Sequence, residues 1–308
     1  MAEIRIGIIG FGKIAQDQHA LALAGDPDFR LAAVVAPEGA PDSGVPTFAD
    51  AAAMLRSIEL DAVAICTPPG PRHGLARDCL EAGLHVLLEK PPCATLGEVA
   101  DLAALAERKQ RSLFTAWHSQ FNDTVAKAAG ITRREGIAGM DIQWLEDVEK
   151  WHPGQDWIWQ RGGFGVFDPG INALSIACLL CPEPLLVRAA QLHMHEGGQQ
   201  PVAVDLALET GGMCERLGAR FDFRHTHGER WTIDLITNRG TRIALSEGGA
   251  VLRVDDGAAE RTRGREYPDI YRRFAALIGS GDSEVDAEPL RIVADALLSG
   301  VRLDVTRG

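Results

Sequence analysis

The most constraining stretch lies at the start of the chain, where Ile4-Arg5-Ile6-Gly7-Ile8-Ile9 runs into Gly10-Phe11-Gly12-Lys13-Ile14-Ala15. The isoleucine-rich run has the character of a buried strand. The glycines fit the spacing G-x-G-x-x-A: Gly10 permits a tight turn, Gly12 lets the backbone approach a pyrophosphate, and small Ala15 lets the next helix pack close. A helix is expected from Ile14 to Leu23, its free N-terminal amides turned toward phosphate. A glycine turn can also serve a fold that binds nothing. Its place after a strand and before a helix favours the nucleotide.

The alternation continues. Strands are expected at Leu31–Val35, Ala62–Cys66, Val86–Leu88 and Leu113–His118, and helices at Phe48–Ser57 and His73–Ala82. A further helix is opened by the capping box Thr95-x-x-Glu98. Over residues 1–118 this gives a doubly wound parallel sheet, the first half of an α/β protein. The turn Ala36-Pro37-Glu38-Gly39 follows the second strand at the distance where an adenosine ribose is met. It offers an acid and no cation, which favours NAD over NADP, although Glu38 is also readable as an exposed loop charge. Thr67-Pro68-Pro69 should run beside the same cofactor. In Val86-Leu87-Leu88-Glu89-Lys90-Pro91-Pro92, Pro91 restricts Lys90 to extended geometry and ends the strand. Lys90 is thereby held at the carboxyl edge, where open parallel sheets bind their ligands.

After His118 the pattern changes. Met140–Trp144, Val187–Leu192, Val202–Leu208, Ala219–Phe223, Trp231–Ile236 and Arg242–Leu245 read as alternating strands, some joined by short turns such as Asn238-Arg239-Gly240. Residues 119–288 are therefore expected to form an α+β domain with a large, mostly antiparallel sheet. Helices would cover one face and leave the other for a second copy of the chain, a homodimer. The helix at 289–305 is expected to pack back on the first domain.

Five of the six tryptophans (117, 144, 151, 157 and 159) fall in one window with His118, Glu146, Asp147, His152, Gln155 and Asp156. Indole faces suit the C–H surface of a sugar, and carboxylates and imidazoles suit its hydroxyls. A tryptophan-rich minicore with charges outside it reads equally well. Next comes Gly162-Gly163-Phe164-Gly165-Val166-Phe167-Asp168-Pro169-Gly170-Ile171-Asn172, read as a flexible approach to a helix with Asp168 as N-cap and Pro169 at its first position. Asp168 and Asn172, four apart, share a face. They are either a cap and a surface amide or a polar pair facing a cleft.

A net charge of −12 without a basic run argues against nucleic acid and anionic membranes as partners. Six cysteines show no pairing pattern, and Cys178-x-x-Cys181 has two leucines inside it and no second pair of ligands, so no metal is expected. With a strand already at residues 2–9 and no apolar run of membrane-spanning length, the expectation is a cytoplasmic protein without a signal peptide.

Taken together, Gly10–Ala15, Glu89-Lys90-Pro91 and the Asp168-x-x-x-Asn172 helix resemble the glucose-fructose oxidoreductase/inositol dehydrogenase/MocA family over nearly the whole chain. Lys13-Ile14-Ala15-x-Asp17-Gln18-His19, Ala116-Trp117-His118-Ser119, Lys150-Trp151-His152-Pro153-Gly154-Gln155 and Gly165–Ile176 resemble its bacterial sugar 1-dehydrogenases in particular. The resemblance implies a Rossmann domain and a nicotinamide cofactor. It also implies oxidation of an aldopyranose (D-galactose, L-arabinose or D-fucose) at C1 to the lactone. An inositol dehydrogenase and a nucleotide-bound sugar sensor are the alternatives on the same fold. Lys90, Asp168 and Asn172 are the implied catalytic residues, and Asn172 stands where much of the family has histidine, which shifts the proton chemistry to Lys90 and Asp168. His118, Glu146, Trp151, His152 and Trp231 are the implied sugar contacts. Cofactor contacts are expected from Gly10, Phe11, Gly12, Lys13, Ile14, Ala36, Pro37, Glu38, Cys66, Thr67, Pro68, Pro69, His73, Glu89 and Lys90.

Overall fold

In the computed structural model, which describes residues 3–37, 39, 43–211 and 216–305, β1 (Ile4–Ile9) lies inside a six-stranded parallel sheet. On one side stand β2 (Phe29–Val35) and β3 (Thr47–Phe48), on the other β4 (Ala62–Ile65), β5 (His85–Glu89) and β6 (Leu113–Ala116), in the order β3-β2-β1-β4-β5-β6. Ile6, Ile8, Val63, Ala64, Val86 and Leu87 are fully buried, as strands covered on both faces require. The connections are a π-helical segment, Ala15–Ala20, continued by α1 (Leu21–Ala24), then α2 (Ala51–Ser57), α3 (Pro69–Glu81) and α4 (Leu96–Lys109). The Thr95/Glu98 capping box is formed in both directions.

Several boundaries move. Phe48 belongs to β3, and α2 starts only after Asp50, whose carboxylate accepts the Ala53 N–H at 2.7 Å. Helix α3 begins at Pro69, four residues before the expected His73, because a proline at the first position leaves no N–H unsatisfied. The strand expected to reach His118 stops at Ala116, and His118 opens a 3-10 turn.

The chain divides into two compact units, residues 1–118 with 266–287, and residues 119–265 with 288–308. The helix returning to the first unit is α8 (Glu266–Ser280), where Tyr271 and Phe274 meet Phe29, and Phe274 also stacks on Phe114. The expectation for 289–305 is therefore corrected. Glu288–Ser299 is α9 of the second unit, and Val301–Val305 is a strand, β15, paired with that unit's sheet. Both helices bury an apolar stripe, and periodicity tells which face is buried without telling which sheet receives it.

The second unit's sheet has nine strands. In spatial order they are β14 (Glu260–Arg261), β13 (Val251–Val254), β12 (Arg242–Ser246), β11 (Arg230–Thr237), β7 (Ile137–Leu145), β10 (Arg216–Asp222), β9 (Pro201–Glu209), β8 (Leu186–His195) and β15. Pairing is antiparallel except for β7 with β10 and β8 with β15. Helices α5 (Asp123–Glu135), α7 (Phe167–Leu180) and α9 pack on the sheet, and α6 (Val148–Trp151) follows β7. Asp141, Arg220, Asp234 and Ile236 stay exposed on its strands.

Asp168 is not the N-cap of α7. The amides of Phe167 and Asp168 already donate to the carbonyls of Phe164 and Gly165 at 3.0 Å, so the turn begins earlier and Asp168 lies inside it. Nor is the glycine run before it a flexible approach. A Cβ on Gly163 would stand 2.3 Å from the Trp157 carbonyl oxygen, which marks a close backbone crossing. No helix among the described residues is long and apolar enough to cross a membrane.

Candidate active site

The first sheet reverses its order between β1 and β4, and a ligand of such a sheet binds outside the carboxyl ends of those strands. Gly10 turns there with φ +90°, and a Cβ on it would stand 2.8 Å from the Thr67 amide nitrogen. A Cβ on Gly12 would meet nothing within 4 Å, so the second glycine faces open space. Beside this turn Thr67 Oγ1 is buried and without a hydrogen-bond partner among the described residues. An open glycine cradle next to an orphaned hydroxyl fits the pyrophosphate of a dinucleotide.

The other expected cofactor residues that are described belong to the same unit. The Phe11 carbonyl accepts from Gln16 Nε2 at 2.8 Å, Lys13 pairs with Asp17, and Ile14 is exposed. The Ala36 amide donates to Phe48, Pro37 follows, and the Cys66 amide donates to Ile9. Pro68 and Pro69 open α3. His73 Nε2 lies 2.9 Å from Asp101 Oδ2. Glu38, on which the choice of NAD rested, lies outside the described residues.

Lys90 follows β5 directly, half-buried, with a cis peptide bond to Pro91. Its amide donates to Glu89 Oε2 at 2.8 Å. Glu89 is buried, and its Oε1 takes His19 Nε2 at 3.0 Å and the Tyr267 hydroxyl at 2.7 Å. Burial works against its charge, but the His19 contact and the Tyr267 hydroxyl hold the Glu89 carboxyl well below the usual carboxylate range. The buried Arg72 guanidinium donates to the carbonyls of Thr67, Glu89 and Pro91, tying the end of β4 to the end of β5. His118, expected at the sugar, belongs to the first unit, with Nδ1 2.9 Å from Glu266 Oε2 and its ring stacked on Tyr267 at 5.8 Å.

In the second unit, Glu146 is buried at the end of β7, where Oε1 meets His152 Nε2 at 3.0 Å and Oε2 accepts Trp231 Nε1–H at 2.8 Å. The other nitrogen of His152 stands 3.9 Å from Asp168 Oδ2. Trp231 stacks on Trp144 at 5.8 Å and meets the edge of Trp151 at 5.0 Å. Trp151 remains 42% exposed, its Nε1 donating to Glu229. Glu146, Trp151, His152, Asp168 and Trp231 are thus brought together, with Asn172 one turn further along α7. Trp117 is not part of this group. It is buried in the first unit, where Nε1 donates to the Asp286 carbonyl at 3.0 Å.

Residues 4–116 match the family described as an oxidoreductase family with an NAD-binding Rossmann fold. Over 306 residues, 99% of this chain and 98% of the relative, the sequence is 42% identical to galactose 1-dehydrogenase of Pseudomonas fluorescens. The chain belongs to the glucose-fructose oxidoreductase/inositol dehydrogenase/MocA family. The crystal structure of D-galactose-1-dehydrogenase from Rhizobium etli superposes with a TM-score of 0.94 at 43% identity, covering 100% of this chain and 98% of that one. KijD10, a 3-ketoreductase of Actinomadura kijaniata solved with NADP and TDP-benzene, shares the fold at 19% identity with a TM-score of 0.82, covering 98% and 99%.

As an oxidoreductase of this family, the chain carries site features that sequence reading missed. Arg72 sits in α3 without a motif around it, and its three carbonyl acceptors come from two separate strand ends. Tyr267 and Tyr271 lie far along the chain from Glu89 and His19. Their spacing of four on an amphipathic helix was the one available sign.

Proposed function

We propose that the protein oxidises an aldopyranose, D-galactose first and L-arabinose or D-fucose with it, at C1 to the aldonolactone. The observation that carries this reading is the Glu146–His152–Asp168 group beside the Trp231 and Trp151 indoles. Two carboxylates and an imidazole supply acceptors and a donor for ring hydroxyls, and the indoles supply a flat apolar wall for ring hydrogens. The full-length likeness to galactose 1-dehydrogenases supports it.

The bound nicotinamide supplies the hydride acceptor. The protein must remove the C1 hydroxyl proton, and Lys90 Nζ takes it. Asp168 holds the C1 hydroxyl in line and Asn172 fixes the ring oxygen. One hydride and one proton leave the sugar, and the C1–O bond becomes the lactone carbonyl. A pocket open enough for CH₂OH loses little when that group is absent, whereas a buried acceptor reading the axial 4-hydroxyl disfavours glucose. Gly10, Gly12 and Thr67 hold the cofactor, which we take as NAD. The free thiols of Cys66, Cys79 and Cys93 support a reducing, cytoplasmic setting.

The protein acts as a homodimer through the open face of its second sheet. Asp141 and Asp234 are directly opposed across β7 and β11, and burial together with Asp141 pushes the Asp234 carboxyl up. Arg220 and Arg242 line the same groove, so a two-fold axis there would set arginines of one copy on aspartates of the other. Ile236→Glu should then sediment as a monomer.

A panel of aldoses and inositol against both nicotinamides, followed by NADH absorbance, tests the main reading. Turnover of galactose with NAD is expected. Turnover of inositol alone would make the enzyme a polyol dehydrogenase, and sugar binding without turnover would make it a sensor.

A further inference from the structure

The cluster behind Lys90 is drawn from three elements of the first unit. His19, with 0% side-chain exposure, comes from the π-helical segment that opens directly out of the glycine turn. Such segments are rare and concentrate at functional sites. Its Nε2 meets Glu89 and its Nδ1 lies 2.7 Å from the Tyr271 hydroxyl, while its ring packs edge-on against Tyr267 at 4.8 Å and Tyr271 at 5.8 Å. Tyr267 and Tyr271 are one turn apart on α8, so both hydroxyls reach the same place. Glu89 itself ends β5. One face of its carboxylate is filled by His19 and Tyr267, and the other oxygen receives the Lys90 amide.

A buried ion pair is a poor way to gain stability, since apolar side chains of the same size do as well. What the pair provides, and an apolar contact cannot, is a fixed, charged acceptor aimed at one backbone amide. Resting on the reading of Lys90 as proton acceptor, we propose that His19, Tyr267 and Tyr271 are positioning residues. They lock the Glu89 carboxylate and, through its bond to the Lys90 N–H, set the backbone from which the lysine reaches the sugar. The same contacts tie the helix behind the phosphate-facing turn to that lysine.

The electrostatics agree with this geometry. Burial opposes the charge of His19, while Cys66, Tyr271 and Glu89 around it raise its imidazole well above the usual value; the Glu89 carboxylate is the full anion in hydrogen-bond contact. Burial pushes the Tyr271 phenol up to about 12, so it serves as a neutral hydroxyl. His118, paired with Glu266, stacks on Tyr267 beside the cluster.

The test uses the full chain with His19→Gln and Tyr267→Phe, and Lys90→Ala for reference. Because a misplacement of about 1 Å can cost about 10²-fold, kcat should fall about 10²-fold in His19→Gln and about tenfold in Tyr267→Phe. The KM for galactose and the Kd for NAD should stay within about twofold, because neither variant touches the sugar or the nucleotide. The isotope effect with C1-deuterated galactose should rise as hydride transfer becomes limiting. A merely structural role would lower the melting point and the active fraction but leave that isotope effect unchanged, and this result overturns the proposal. Amide hydrogen exchange at Lys90 needs no turnover and should be at least about tenfold faster in both variants. Unchanged exchange there overturns the proposal whatever the substrate proves to be, whereas a wild-type enzyme inert toward every aldose refutes only the sugar reading. Should His19→Gln fail to fold, Tyr267→Phe carries both measurements.

Discussion

Glu89 and Glu146 are both buried carboxylates paired with a histidine, one in each unit, and their surroundings are built to opposite ends. The Glu89 cluster is closed: His19 is wholly buried and both its nitrogens are taken by protein groups. The Glu146 cluster opens outward. His152 keeps 12% of its side chain exposed, and among the described residues its Nδ1 has only long contacts, 3.4 Å to Gln155 and 3.9 Å to Asp168. A gap of that length beside an exposed indole leaves room for a hydroxyl to enter. The closed cluster can hold geometry but cannot meet a ligand, and the open one can meet a ligand at the expense of rigidity.

The largest effect is expected of Lys90→Ala, the proposed proton acceptor that follows Glu89 directly. Loss of a general base should lower kcat by about 10²–10⁴-fold with little change in melting temperature. Next, His19→Ala should cost about 3–5 kcal/mol in urea unfolding, because it strands a buried carboxylate. Glu146→Gln should raise the KM for galactose by about tenfold or more, in line with the roughly 1.5–3 kcal/mol of a charged hydrogen bond, and cost less stability than His19→Ala. If the two variants destabilise equally, the contrast between closed and open clusters fails.

The pH dependence sharpens it further. The lowered carboxyl of Glu89 contributes stability above its unfolded value of 4.5 and loses it as pH falls, while the raised imidazole of His19 contributes below 6.5 and loses it as pH rises through its folded value. The stability difference between wild type and His19→Gln should therefore be largest between pH 4.5 and 6.5. The difference must be used because His85, which burial and then Arg111 depress to about 4, weakens wild type and variant alike as pH falls below 6.5. The smallest effect is expected of Tyr271→Phe, about 1 kcal/mol for one neutral hydrogen bond, read from the same melts.

The sheet of the first unit was legible because its strands, glycine turn and capping box are local signals, each confined to a dozen residues. Lys90 was legible for the same reason, bounded by Pro91 and the apolar run before it. Glu146 and His152 were legible as neighbours from their tryptophan-rich window and Asp168 only from its own helix-start motif, whose N-cap reading failed because the Phe167 and Asp168 amides had already been captured upstream. The destination of α8 and α9 was not legible. Both carry buried stripes, and which sheet a stripe meets depends on topology that periodicity does not encode.

That return of α8 sets a schedule for synthesis. Tyr267 follows Glu89 by 178 residues and Tyr271 follows His19 by 252. At about 5–20 residues per second, Glu89 emerges from the ribosome roughly ten to thirty-five seconds before the hydroxyl that completes its shell. For that interval the nascent sheet carries a carboxylate and an imidazole whose cover is still being translated. The nucleotide-binding half, first to be made, is among the last parts to be sealed.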